Sequence, residues 1–460
     1  MENSTVSLKN KKGLVFLAIK LSDHFTYSKL LRFTLSSIVM MIFTSIYSVV
    51  DGLFVSNFVG KTPFAAINLI FPLLMILGAL GFVFGTGGTA IVSKTLGEGK
   101  QELANRYFSM LVYVAFIGGV ILAVIGELLA PTAARLLGAE GEMLKNCVLY
   151  ARIILMALPF FILQNVFQSF FVTAEKPHLG LMVTVAAGLT NMIFDALFIA
   201  VFRMGLAGAA FATALSQTVG GLFPLIYFGR KNNTSILRLT RTSFSGRVLL
   251  NTCINGSSEL MSNISSSVVT MLYNFQLMRL AGENGVAAYG AIMYVGFIFA
   301  AIFFGYAIGS APIVGFHYGA GNTDELKNLF RKSFSMMVIG GVVMLISSFL
   351  LASPLSQLFV GYDRELYEIT VHGFKIFAFS YLITGVNVYG SAFFTALNNG
   401  LLSALISFLR TLVFQVLCIM TLPYIFDLDG VWYAVIAAEL LSLIVTVSLL
   451  IANRKRYQYA

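Results

Sequence analysis

Charge is scarce in this chain. Of its 460 residues, 11% are Asp, Glu, Lys or Arg, against about 25% in soluble domains. So few charges cannot cover a water-facing surface, which excludes a soluble globular protein. Cysteine is scarce too. Cys147, Cys253 and Cys418 are odd in number and far apart, with no CxxC spacing, which excludes a disulfide framework or a zinc site. No nucleophile–base arrangement stands out among the few polar residues, so neither an enzyme nor a cofactor is expected. The basic N-terminus (MENSTVSLKNKKGLVFLAIK) has only a short apolar piece and no small-residue cleavage site. It reads as a cytoplasmic arm rather than a signal peptide.

What the sequence has is apolar length. Hydrophobic residues make up 58% of it, in runs separated by short polar loops. Twelve candidate spans lie near 31–57, 63–92, 107–129, 149–173, 178–202, 205–228, 249–280, 285–314, 332–353, 369–397, 400–423 and 429–452. Each reaches the ~20 residues needed to cross hydrocarbon. The expected fold class is an all-α polytopic membrane protein with lipid as its main solvent.

The net charge of +10 points to topology rather than to nucleic acid. Of the 30 basic residues, 21 fall on one alternating set of loops, eight on the other, and Arg410 lies inside a span. The richer set is expected to be cytoplasmic and includes both termini. The location expected is the plasma membrane, multi-pass.

The linker GRKNNTSILRLTRTSFSGR divides the chain into halves that match without gaps at a lag of 222 residues. Gly97 and Gly99 fall on Gly319 and Gly321, Phe108 on Phe330, Thr173 on Thr395, and Gly208 on Gly430. A repeat of six spans starts each copy on the same side. It therefore predicts two six-helix bundles with pseudo-two-fold symmetry along the membrane normal and a cleft between them. The expected organisation is an arm (1–30), an N-terminal bundle (31–228), a linker (229–248), a C-terminal bundle (249–452) and a tail (453–460). Such a cleft, opening alternately to each side, suits a transporter.

Intramembrane polar residues are expensive and usually face a cavity or a partner. Asp195 sits in the run TNMIFDALFIA with Asn191 one turn before it, on the same helix face. Thr184 and Gly188 extend that face. The first span carries a matching stripe: Ser37, Thr44, Ser48 and Asp51. Counting from the helix ends places Asp51, Asn191, Asp195 and Thr213 at similar depth in the outer half of the N-terminal bundle. Two carboxylates meeting in a low-dielectric cleft cannot both stay ionised cheaply. The group could hold a proton, or its oxygens could nest a hard cation such as Na⁺. The alternative is that each acid is satisfied separately by packing.

Three motifs carry a resemblance. VDGLFVSNFVG (50–60), NMIFDALFI (191–199) with GLAGAAFATALSQ (205–217), and IGSAPIVGFHYGAGNTDELKN (308–328) resemble signatures of the multidrug and toxic compound extrusion (MATE) transporters. The resemblance extends over nearly the whole chain, including the 6+6 repeat. It implies cation-coupled efflux, by H⁺ or Na⁺, of bulky and often cationic organic compounds. It also implies a cation site at Asp51, Asn191, Asp195 and Thr213. The sequence departs from the family at Ser36, where many members have proline, and in a tenth span without a carboxylate.

In the second half, Glu259 and Arg410 share a depth, so a structural ion pair is expected there, with a role for Glu259 in transport as the alternative. Glu439 falls on Gln217 at the repeat lag and reads as a satisfied polar position. The segment GTGGTA (85–90) lacks the lysine of a phosphate loop and reads as helix packing. His317 and His372 read as solvated or capping residues near helix ends. The expected partners are small organic substrates and membrane lipids, with no nucleic acid, and the chain is expected to be monomeric. Competing functions are a lipid-linked saccharide flippase of the same superfamily, disfavoured by the few mid-span basic residues, and a non-transporting receptor or scaffold, which the repeat does not require.

Overall fold

The hydroxyl of Thr26 accepts the backbone N–H of Lys29 at 3.3 Å and starts the first helix. From there the chain is helical almost throughout. The structure, a computed structural model, describes residues 19–59, 61–230 and 234–460, and of residues 48, 49, 53, 56, 57, 61 and 64 the backbone alone. Most of the expected N-terminal arm (residues 1–18), part of the linker and the Ser48 side chain lie outside that description. Among the described residues there is no strand.

Six helices make the first half: α1 (Tyr27–Phe58), α2 (Lys61–Gly97), α3 (Gln101–Leu136), α4 (Gly141–Thr173), α5 (Pro177–Val201) and α6 (Gly205–Gly229). The second half begins with α7 (Gly246–Gly319). Then come α8 (Thr323–Val360), α9 (Arg364–Ala378), α10 (Tyr381–Ala396), α11 (Gly400–Thr421) and α12 (Pro423–Tyr457). Ten of these described helices are long and apolar enough to cross a membrane, and α9 with α10, bent by 50°, makes an eleventh crossing. The 74 residues of α7 measure about 110 Å at 1.5 Å per residue, far beyond a ~30 Å hydrocarbon core. It turns back at Gly282, where φ is 58°, and so supplies two crossings. That gives twelve.

One expected boundary shifts. Spans seven and eight part where expected, between 280 and 285, at Gly282, since glycine lets the backbone reverse without a loop. The tenth span breaks at Phe379–Ser380 into α9 and α10.

The repeat is visible in the backbone. Gly99 and Gly321, one lag apart, both adopt positive φ (77° and 65°) at the turns after α2 and α7. The halves also meet symmetrically. A Cβ on Gly97 would lie 2.0 Å from the carbonyl oxygen of Phe316, and one on Gly319 would lie 2.0 Å from that of Lys94. Residues 94 and 316 are themselves one lag apart, so this is one contact made twice about the pseudo-two-fold axis. Gly87 against Thr252 and Gly256 against Val83 repeat the motif at 2.1 Å.

These approaches draw the halves together at the end of the molecule that carries α1's start and the basic loops, called here the basic end. A strap ahead of α1 reinforces it. Glu175, in the turn before α5, accepts the N–H of Leu21 at 2.7 Å. On the other half, Glu325 accepts the N–H of Phe25 at 2.9 Å and pairs with His24. Lys332 donates to the Phe25 carbonyl at 2.7 Å. The strap thus ties the first half to the second.

Candidate functional site

The fifth helix does not end as a regular α-helix. Directly after Asp195, residues Ala196–Val201 form a π-helical turn, a local widening that recurs at functional positions. Asp195 is fully buried and Asn191 is 2% exposed. Asp51 of α1 stands opposite, close enough for its charge to act on the Asp195 carboxyl. The Asn191 amide donates to the Thr213 hydroxyl of α6 at 3.5 Å. The four residues singled out in the sequence therefore converge on one buried place, between α1, α5 and α6.

Neighbouring contacts fix this geometry. Ser216 donates to the Ala187 carbonyl at 2.7 Å, joining α6 to α5. Ser36, in the position where the family often has proline, bonds His178 at 2.9 Å and joins α1 to α5. Gly188 lets Phe43 and Tyr47 of α1 close over α5.

The donors at the site are too few. Among the described residues, neither carboxylate oxygen of Asp195 has a hydrogen-bond donor, and one oxygen of Asp51 and the amide oxygen of Asn191 also lack one. A buried carboxylate without a donor costs at least a few kcal/mol, a cost that an electropositive guest would offset. The available ligands are carboxylate, amide and hydroxyl oxygens, which suit a proton or a hard cation. Among the described residues, no cluster of three or more His, Cys, Asp or Glu is placed to hold a metal.

Sequence reasoning missed Tyr150. It lies beside Thr213 and in the field of both aspartates. It was placed at the edge of a span beginning near 149, whereas α4 begins at Gly141. That extra length puts Tyr150 more than two turns inside the helix, at the depth of the site.

A second polar cluster lies in the other half, and here one expectation is corrected. Arg410 does not pair with Glu259. Its Nε donates to both Glu439 oxygens at 2.9 and 3.1 Å, and its Nη2 lies 2.8 Å from Glu439 Oε1. Asn387 donates to the same carboxylate at 2.7 Å. Depth alone does not choose a partner, because the helix face does. Arg410 lies in a second π-helical turn, Leu409–Val413, and it presents the guanidinium to α12. Glu439 is thus the satisfied residue, while the Oε1 of its repeat counterpart Gln217 has no partner among the described residues. Replacing Glu439 by alanine leaves the guanidinium buried and unpaired. A loss of about 3–5 kcal/mol in stability is expected, measured as a lowered melting temperature of the purified protein.

Between the halves lies a cavity. The first half lines it with uncharged side chains such as Phe82, Thr86, Asn165 and Gln168, and the second half brings Glu259 and Arg410. Those two are its sole charged lining residues among those described. Asp51 and Asp195 do not line it, so the acid site and the cavity are separate places. The space is narrow, about 130 Å³, below the ~300–1,000 Å³ of pockets that enclose drug-sized ligands. His317 also departs from expectation. It is 2% exposed, with neither ring nitrogen bonded among the described residues, rather than solvated or capping.

Comparison with known proteins agrees with this architecture. The sequence profile of the MatE family matches residues 36–197 and 260–420, once in each half. The chain is similar to the "Multidrug export protein MepA" of Staphylococcus saprophyticus, 24% identical over 414 residues, covering 90% of this chain and 91% of that one. The protein of the same name from Staphylococcus haemolyticus is 25% identical over 415 residues, with 90% of each chain covered. Among solved structures, a MATE in complex with MaL6 superposes with a TM-score of 0.90 at 22% identity, over 95% of this chain and 98% of that one. A multidrug resistance MATE family transporter in an outward-facing conformation gives 0.89 at 22% identity, over the same shares. The chain belongs to the MatE family of multidrug efflux transporters, which are not enzymes.

Proposed function

We propose that this protein is an antiporter: a cation, H⁺ or Na⁺, moves inward through the Asp51–Asn191–Asp195–Thr213 site and drives export of bulky organic compounds. The observation that carries this reading is Asp195, fully buried, beside a second carboxylate and without a donor among the described residues. Such a group is satisfied by a proton or a bound cation. Loss of that guest leaves facing charges, which favours a different packing of α1 against α5 and α6. The basic end is the cytoplasmic one in this reading, following the positive-inside rule, and the plasma membrane is the site of action. The closed basic end and the narrow cavity fit one stage of an alternating cycle.

The test uses cells loaded with a fluorescent organic cation. Cells making the protein are expected to retain less dye than control cells, and collapsing the H⁺ and Na⁺ gradients is expected to abolish the difference. Equal dye retention with and without the protein would sink the proposal.

A further inference from the structure

The charges lining the cavity are one of each sign, and they are held differently. Glu259 of α7 carries a carboxylate with no hydrogen-bond or ion-pair partner among the described residues, and it is partly exposed to the cavity. Arg410 is partly engaged. A guanidinium presents donors along two edges, the Nε–Nη2 edge and the Nη1–Nη2 edge. Glu439 occupies the first, through Nε and Nη2. The second edge has no acceptor among the described residues, and Arg410 lines the cavity. The Arg410 side chain is 16% exposed against 4% for Glu439, so the acid lies behind and the guanidinium in front.

Glu439 and Asn387 thus act as a buried clamp. They fix the plane of the guanidinium and leave one face of the fork pointing at the ligand space. A planar fork of this kind suits a carboxylate, which it can hold through two parallel bonds. Across the same cavity, an unpaired carboxylate suits an ammonium or an iminium.

We infer that the cavity selects amphoteric compounds, with a cationic group held by Glu259 and a carboxylate held by the free edge of Arg410. Arg410 is therefore a specificity-determining residue, and Glu439 positions it. This rests on the transport reading above and names the substrate class of that cavity. Compounds bearing a cation alone still bind through Glu259 and the apolar walls. They forgo the second anchor and leave the guanidinium edge unmatched, as the walls offer no other anion.

The probe is a pair of rhodamine dyes, the free acid and its methyl ester. Both carry the same delocalised cation, and only the free acid carries a carboxylate. Binding to the purified protein is followed by fluorescence polarisation, and flux separately in proteoliposomes. Wild-type protein is expected to bind the free acid more tightly than the ester by roughly tenfold, the order expected of one charge-assisted pair. Arg410→Lys keeps a charge beside Glu439 but cannot offer two edges. It is expected to erase that preference while ester binding stays within about twofold, since the ester makes no use of the lost edge. Glu439→Gln leaves one acceptor where the clamp had two, so the guanidinium plane loosens and the preference is expected to fall, though not to the level of Arg410→Lys. These ratios compare two dyes on one protein preparation, so a partly destabilised variant does not distort them.

Equal affinity for the two dyes in wild type, binding of neither, or an unchanged ratio in Arg410→Lys would overturn the inference. An unchanged ratio in Glu439→Gln would overturn the assigned clamp. Failure of the transport reading looks different, because the binding ratios would hold while neither dye moved under any ion gradient.

Discussion

Asp195→Asn is expected to abolish ion-driven efflux while leaving the protein folded and able to bind dye. Asparagine matches aspartate in shape and keeps a polar side chain at a site where the acid makes no hydrogen bond to the described residues. The variant therefore removes little packing. It does remove the negative charge that a proton or Na⁺ would neutralise, together with the repulsion against Asp51. A two-state bundle shifts only as far as its ligand distinguishes the two states. Without that ligand, efflux is expected to fall roughly a hundredfold, the factor lost when occupancy no longer swings a population from one arrangement to the other. Asp51→Asn is expected to behave alike, and the double variant no worse than either single one, because the pair acts as a unit. Efflux from dye-loaded vesicles under an imposed gradient gives the comparison. Near-normal efflux in either variant would remove that residue from the coupling site.

Valine at Gly319 or at Gly97 is expected to hold the basic end open. A Cβ at either position meets a backbone carbonyl oxygen at 2.0 Å. Backbone on a packed helix cannot swing aside as a long side chain would. Overpacking of a core commonly costs about 1–3 kcal/mol, and here the whole cost falls on the closed state, since the two glycines lie on opposite halves. A bias of that size shifts a two-state equilibrium by about 5- to 100-fold, at about 1.4 kcal/mol per factor of ten. Spin labels at the exposed positions 98 and 324 read the result directly. Their separation is expected to lengthen in Gly319→Val and Gly97→Val, by similar amounts because the repeat makes the contacts equivalent. Gly290→Ala, where an added Cβ meets nothing within 4 Å, serves as the control and should leave the distance unchanged. Unaltered distances in both valine variants would show that these crossings do not gate the basic end.

The architecture was legible because its causes are written in composition and spacing. Scarce charge implied lipid, and the single lag of 222 residues paired Gly97 with Gly319 before any contact between them was seen. The acid site was legible because a carboxylate inside an apolar run is costly, and depth can be counted at 1.5 Å per residue. Other features depend on details that such counting does not capture. Tyr150 escaped because the start of α4 was placed eight residues late. The pairing of Arg410 with Glu439 escaped because two residues at one depth can face opposite ways, and a π-helical turn changes the face without marking the sequence. The reversal at Gly282, by contrast, was legible as the gap between the spans ending near 280 and beginning near 285.

The central claim is that Asp51 and Asp195 together hold the coupling cation. Infrared difference spectroscopy of the purified protein observes the carboxyl groups themselves as pH and Na⁺ are varied. The account predicts a buried-carboxyl signal that changes as H⁺ or Na⁺ is added or withdrawn, and a component of that signal missing from the Asp51→Asn/Asp195→Asn double variant. An identical response in wild type and double variant would contradict it.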